Sequence, residues 1–216
     1  MKQYKNQIIL SVAIILLPML VGLMMYSKLP EQIPMHFNTN GEVDNFANKN
    51  VAIFVMPLIM VAIQAICLFA TLNDPKKKNI SDKVIGLIIW IVPLVSLITF
   101  FLSVGKAMGL DLNVNTVVML MLGMIFIVAG NYLPKSRNNY TVGIRTPWTL
   151  SDDEIWNKTH RMAGKLYVAI GLLAIALSFI NRPNLLIAFE FILITMAFVP
   201  VIYSYILFKK KQKDQE

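Results

Sequence analysis

Charge is scarce in this sequence. Only 15% of its 216 residues are charged and 56% are hydrophobic, where a soluble domain carries about 25% charge. That excludes an ordinary soluble globular domain. Cysteine is nearly absent. Cys67 stands alone inside an apolar run, so disulfides play no part and the residue reads as a small buried hydrophobe. Histidine is limited to His36 and His160, too few for a metal centre unless the two converge. No serine sits in a nucleophile elbow, and no glycine-rich phosphate loop is present. These absences argue against an enzyme and against a bound cofactor or metal. A net charge of +8 could suggest nucleic acid, but basic cytoplasmic loops of a membrane protein explain it better.

What the chain does have is long apolar runs. Six of them reach or approach membrane length: Ile8 to Tyr26, Val51 to Leu72, Val84 to Gly105, Val114 to Leu133, a core from Leu166 to Ile180, and Leu185 to Phe208. No small-residue cleavage site follows Tyr26, so the first run is expected to remain as a span. The sequence predicts an all-α integral membrane protein with six transmembrane helices. A two-span module, residues 1–72, is expected to precede a four-span module, residues 73–216.

Six spans place both termini on one side. Of the 20 Lys and Arg residues, 16 fall in the amino terminus, the second and fourth connectors and the tail, and four in the other connectors. That bias predicts cytoplasmic termini. The connector from Lys28 to Asn50 then faces outside, and the loop at 134–165 faces the cytoplasm. His36 and His160 fall on opposite sides and cannot share an ion.

In the outer connector Asn40-Gly41 is a tight-turn signal, and Met35, Phe37, Val43 and Phe46 flank it. A small hairpin or compact turn capping the outer mouth is expected. In the inner loop Ser151 and Glu154 fit a capping box, opening a short amphipathic helix that leads into the fifth span. Trp148 and Trp156 are expected at headgroup depth. His160 has no carboxylate one helical turn away and reads as a hydrogen-bonding helix residue. Pro147 confines Thr146 to extended backbone. Arg145 offers a planar fork of donors, equally suited to an internal clamp and to a contact with a carboxylate, a lipid phosphate or a partner's backbone.

Within the spans, Gln64 is expected to hydrogen-bond between helices. Glu190 is an intramembrane carboxylate and a functional candidate by default; pairing with Lys106 is the favoured reading. Gly123 and Gly130, and Gly164, Gly171 and Ser178, recur every seventh residue and read as close-packing faces. Asn181 to Asn184 is expected to turn, and the charged tail from Lys209 to fray.

One stretch is denser in uncommon residues than any other: Gly130-Asn131, Asn139, Gly143-Ile144-Arg145-Thr146-Pro147-Trp148-Thr149-Leu150, Trp156, and Thr159-His160-Arg161 to Gly164. It resembles the signature of the SdpI family, bacterial membrane proteins that confer immunity to a secreted toxic peptide. Leu29-Pro30, Ile33-Pro34, His36, Asn38, Gly41 and Asp44 resemble the uncharacterised module that often precedes that signature. The resemblance implies immunity against a membrane-active peptide. In that family it also implies capture of a cytoplasmic autorepressor, linking toxin detection to transcription. Candidate contacts on the cytoplasmic side are Asn139, Arg145, Thr146, Pro147, Trp148, Trp156 and His160. Those outside are His36, Asn38 and Asp44. A small transporter or channel subunit is the alternative, supported by Pro18, Pro57, Pro93 and Pro200 within spans and by Glu190.

Overall fold

The computed structural model describes residues 2–180 and 183–214, with side chains from 187 onward in the last helix. The expected turn at Asn181 to Asn184 begins outside the described residues. Among the described residues there are seven α-helices and one two-stranded sheet: α1 (Lys5–Met24), β1 (Gln32–Phe37), β2 (Val43–Asn48), α2 (Met56–Leu72), α3 (Asp82–Ala107), α4 (Val114–Tyr132), α5 (Pro147–Ser151), α6 (Asp153–Ser178) and α7 (Pro183–Lys213). A π-helical turn, Val51–Val55, leads into α2. All but α5 belong to the six segments long and apolar enough to cross a membrane. Leu20, Ile66, Phe69, Phe191 and Phe198 are exposed on these helices, and such faces are suited to lipid rather than water.

The helices form two compact units, and these do not follow chain order. The first holds residues 1–72 and 85–115; the second holds 73–84 and 116–216. The expected division after Leu72 is therefore not the division by packing, because α3 belongs with α1 and α2. Two features tie it there. Phe100 and Val104 of α3 share a core with Leu29, Ile33, Ala52 and Ile53. Pro93 lacks an N–H and so leaves the Ile89 carbonyl, four residues back, without its helical donor. The fully buried Gln64 supplies one: its Nε2 donates to Ile89 O at 3.1 Å. An orphaned carbonyl in hydrocarbon is costly, and the amide also links α2 to α3.

Pro93→Ala returns a backbone donor to Ile89. Gln64→Leu is then expected to cost about 1 kcal/mol less in the Pro93→Ala background than in the native chain. Melting temperatures of the four proteins in detergent would measure this coupling, and equal costs in both backgrounds would break the link.

Of the hairpin or compact turn expected between the first two spans, the hairpin is formed. β1 and β2 pair antiparallel, with Pro34 opposite Phe46 and Phe37 opposite Val43. Gly41 adopts φ 79° in the turn, where a side chain would be strained. Its foot is held by Lys49, whose Nζ reaches Glu31 at 2.8 Å and lies 4.3 Å from the Tyr26 ring centroid. The Glu31 hydrogen bond raises the Lys49 pKa above the ordinary lysine value.

In the second unit the two glycine series form one interface. A Cβ on Gly130 would lie 2.7 Å from Gly164 O, and one on Gly123 would lie 2.8 Å from Gly171 O. Thr116 continues the antiparallel register, donating from Oγ1 to Ser178 O at 2.9 Å. Helices α4 and α6 thus meet along their backbones, with hydrogen at each crossing where other residues carry a methyl.

Candidate functional site

The loop between α4 and α6 has little regular structure, so its backbone polar groups need side-chain partners. Asn139 is fully buried and supplies several. Its Oδ1 accepts from Thr141 N and Val142 N at 3.0 and 2.7 Å, and its Nδ2 donates to Arg137 O and Val142 O at 2.8 and 3.1 Å. The neighbouring Asn138 donates from Nδ2 to Leu150 O and Asp153 Oδ1, both at 2.9 Å.

The connector after α2 completes the site. Asp74 is buried; its Oδ2 accepts from Tyr140 N at 2.9 Å and from the Thr141 hydroxyl, and its Oδ1 accepts from Lys76 N at 2.7 Å. Asn79 Nδ2 donates to Asn138 O at 2.6 Å, and Lys76 Nζ to Asn138 Oδ1 at 3.1 Å. Nothing in the residue pattern marks Asp74 or Asn138 as members of this site. The Asn-Asp-Pro run at 73–75 signals a turn, but its partner lies more than 60 residues away.

The carboxy-terminal half of the loop closes on Trp156 and His160. Trp156 is fully buried, and its Nε1 donates to Ser136 O at 2.8 Å. It stacks on the His160 ring with centroids 4.0 Å apart. His160 is also fully buried. Ile144 N donates to Nε2 at 3.0 Å, and Nδ1 contacts Trp156 O at 2.8 Å. A nitrogen that accepts from an N–H cannot itself carry a proton, so the geometry selects the neutral Nδ1–H tautomer. Trp156 therefore packs inside the protein, where its indole N–H is needed by a loop carbonyl. His160 holds the loop through Nε2 and its own helix through Nδ1, a hydrogen-bonding role.

Thr146 and Thr149 form a capping box across α5. Thr149 N donates to Thr146 Oγ1 at 3.2 Å, and Thr146 N to Thr149 Oγ1 at 2.8 Å. The box expected at Ser151 and Glu154 is not the one formed. Asp152 is the cap of α6, its Oδ1 accepting from Glu154 N and Ile155 N at 2.8 and 3.1 Å. The expected short amphipathic helix is the first part of α6, which runs unbroken to Ser178.

The tail does not fray at Lys209, since α7 continues to Lys213. Lys211 Nζ reaches Asp152 Oδ2 at 2.7 Å and Glu154 Oε2 at 3.0 Å. The Lys211 contact leads, with the two cap N–H groups, in holding the Asp152 carboxyl below its ordinary range. A depressed carboxylate pKa means that this tie is present above the ordinary aspartate range and is lost as pH falls through the lowered value. Trp148 is half-buried against α7: its Nε1 donates to Ser204 Oγ, and its ring stacks with Phe208 at 6.1 Å.

The seven inner-loop candidates lie in this loop and on the first two turns of α6 that it packs against, but their exposure differs. Asn139, Thr146, Trp156 and His160 are buried. Arg145 and Pro147 are exposed, and Arg145 Nη1 donates to Tyr140 O. In the hairpin, His36 Nδ1 and Asp44 Oδ1 lie 2.6 Å apart, and Asn38 Oδ1 accepts from Asn40 N and Glu42 N at 2.9 and 3.0 Å, which shapes the turn. Glu190 is exposed on α7, and among the described residues it enters no ion pair. No group of three or more metal-ligating side chains occurs among the described residues.

Residues 135–204 match the SdpI/YfhL protein family, and residues 13–61 match a domain of unknown function, DUF1648. The chain is 25% identical over 206 residues to the protein named Immunity protein SdpI of Bacillus subtilis (strain 168), covering 94% of this chain and 96% of that relative. The resemblance read from the loop and the hairpin is therefore borne out. No solved structure matches the chain.

Proposed function

We propose that this chain is a multi-pass membrane immunity protein that protects its cell against a secreted toxic peptide. The observation that carries the reading is the similarity to an immunity protein along nearly the whole length of both chains. The bias of Lys and Arg supports cytoplasmic termini, an outer hairpin and a cytoplasmic signature loop. A peptide arriving from outside would meet His36, Asn38 and Asp44 first. Protection by binding, without turnover, is supported by how the signature loop uses its titratable groups. His160 spends both nitrogens on the backbone, and Asp152 and Glu154 are held by helix N–H groups and by lysines.

Capture of a cytoplasmic repressor is the finer part of the proposal. Asn139, Trp156 and His160 would act by shaping the loop, while Arg145 and Pro147, with the half-buried Trp148, present its outer edge. Arg145→Lys keeps the charge and loses the fork. It is expected to impair repressor recruitment nearly as much as Arg145→Ala, with normal protein levels. Membrane recruitment of a fluorescent repressor measures this, and a fully active lysine variant would reduce the role to charge alone.

The experiment for the central reading is rescue. A B. subtilis strain lacking its own immunity protein is made to express this chain and challenged with its own secreted toxic peptide. Survival is expected. Sensitivity at normal membrane levels of the chain, coupled with ion flux in proteoliposomes, would favour the transporter alternative.

A further inference from the structure

Helix α6 has two unlike sides at the end nearer the loop. Trp156, Thr159, His160 and Ala163 are buried. Lys158, Arg161 and Lys165 recur at i, i+3 and i+7 and share another face. With Met162 and Leu166 of α6 and Tyr203 of α7, they line a shallow, open cleft on the protein surface.

The charge of this cleft is unbalanced. Lys158 is paired with Glu154 at 2.7 Å, and Glu154 is shared with Lys211 at 3.0 Å. Arg161 and Lys165 are exposed, and neither enters an ion pair among the described residues. The position along α6 is equally informative. From Leu166 onward the helix is apolar up to Ser178, so Arg161 and Lys165 lie where hydrocarbon gives way to headgroups. Met162 and Leu166 add an apolar floor to a cationic rim, and Tyr203 adds a ring with a hydroxyl tip, which suits the same depth.

We infer that this cleft binds the headgroup phosphate of an anionic membrane phospholipid, with its glycerol region against Met162 and Leu166. Arg161 supplies the planar fork and Lys165 a second cation. The apolar floor at the membrane boundary favours a lipid over a soluble acidic segment. This inference does not depend on the immunity reading and can fail without it.

The full chain is purified in detergent and exchanged into nanodiscs of phosphatidylcholine with or without phosphatidylglycerol. Retained lipid is then counted by native mass spectrometry. Phosphatidylglycerol is expected to be retained about tenfold over phosphatidylcholine, an effect that falls as salt rises. R161Q/K165Q should bring retention to the phosphatidylcholine level, while K210Q/K213Q, which removes the same charge outside the cleft, should not. Both cleft residues are exposed; should the double variant fail to melt cooperatively in phosphatidylcholine, R161Q alone gives the reading through at least a threefold loss. Equal retention of both lipids, or unchanged retention in the folded cleft variant, would overturn the inference. Displacement of the lipid by inorganic phosphate would assign the cleft to a free anion. Displacement by a polyglutamate peptide would assign it to an acidic protein segment. Either would also overturn the lipid assignment.

Discussion

Gly143→Ala is expected to destroy the packing of the signature loop although it adds one methyl group. Gly143 has φ 117°, a region that residues with a Cβ rarely adopt. A Cβ there would lie 2.3 Å from His160 Nε2 and 3.3 Å from Trp156 Cη2. The imidazole has nowhere to retreat, because it is stacked on Trp156 and bonded at both nitrogens. Backbone strain and overpacking together cost on the order of 4 kcal/mol, enough to release the loop locally. Gly109 is the control: its φ is 81°, but a Cβ would meet nothing within 4 Å, so Gly109→Ala should cost only about 1 kcal/mol. Limited tryptic cleavage at Arg137 and Arg145 is the readout. Gly143→Ala should be cut at least tenfold faster than the native chain, and Gly109→Ala at the native rate. Equal rates for all three would show that His160 does not fill the space beside Gly143.

The other large effect is expected at the crossing of α4 and α6. A Cβ on Gly164 would lie 2.5 Å from Pro134 Cγ and 2.7 Å from Gly130 O. Backbone cannot move aside as the end of a flexible side chain can. Gly164→Leu must push the helices apart, losing the contact along Gly123, Gly130 and Gly171 together. About 3 kcal/mol of destabilisation follows, with a large fall in melting temperature or in the amount recovered from membranes. Gly86→Leu in α3 should be nearly silent, since a Cβ there meets nothing within 4 Å. A native-like melt for Gly164→Leu would mean that α4 and α6 do not cross at these glycines.

How much of this was legible in the sequence depends on the range of each interaction. Spans were legible because bilayer thickness imposes an apolar length on the chain itself. The hairpin was legible because Asn40-Gly41 marks its own turn, and the glycine faces because seven-residue recurrence is local to one helix. Asp74 was not, since a turn aspartate gives no sign that Tyr140 and Thr141 will bond to it. The burial of Trp156 was not legible for a related reason. A tryptophan near a span end can face lipid or the protein interior, and here its partner is Ser136, 20 residues away. Lys211 shows the same limit: a lysine-rich tail reads as solvated until Asp152 and Glu154 are known to face it. The cap itself was missed by one position, because Ser151 and Asp152 both suit an N-cap and only the fold chooses between them.

The central claim is that the chain protects by binding, and the most direct measurement is a titration of its amount. The chain is expressed at graded levels in B. subtilis lacking its own immunity protein, and the toxic-peptide dose that halves survival is recorded against copies of the chain per cell. A stoichiometric immunity protein predicts a tolerated dose that rises in proportion to copy number. A tolerated dose that stays at the unprotected value at every copy number would contradict the account.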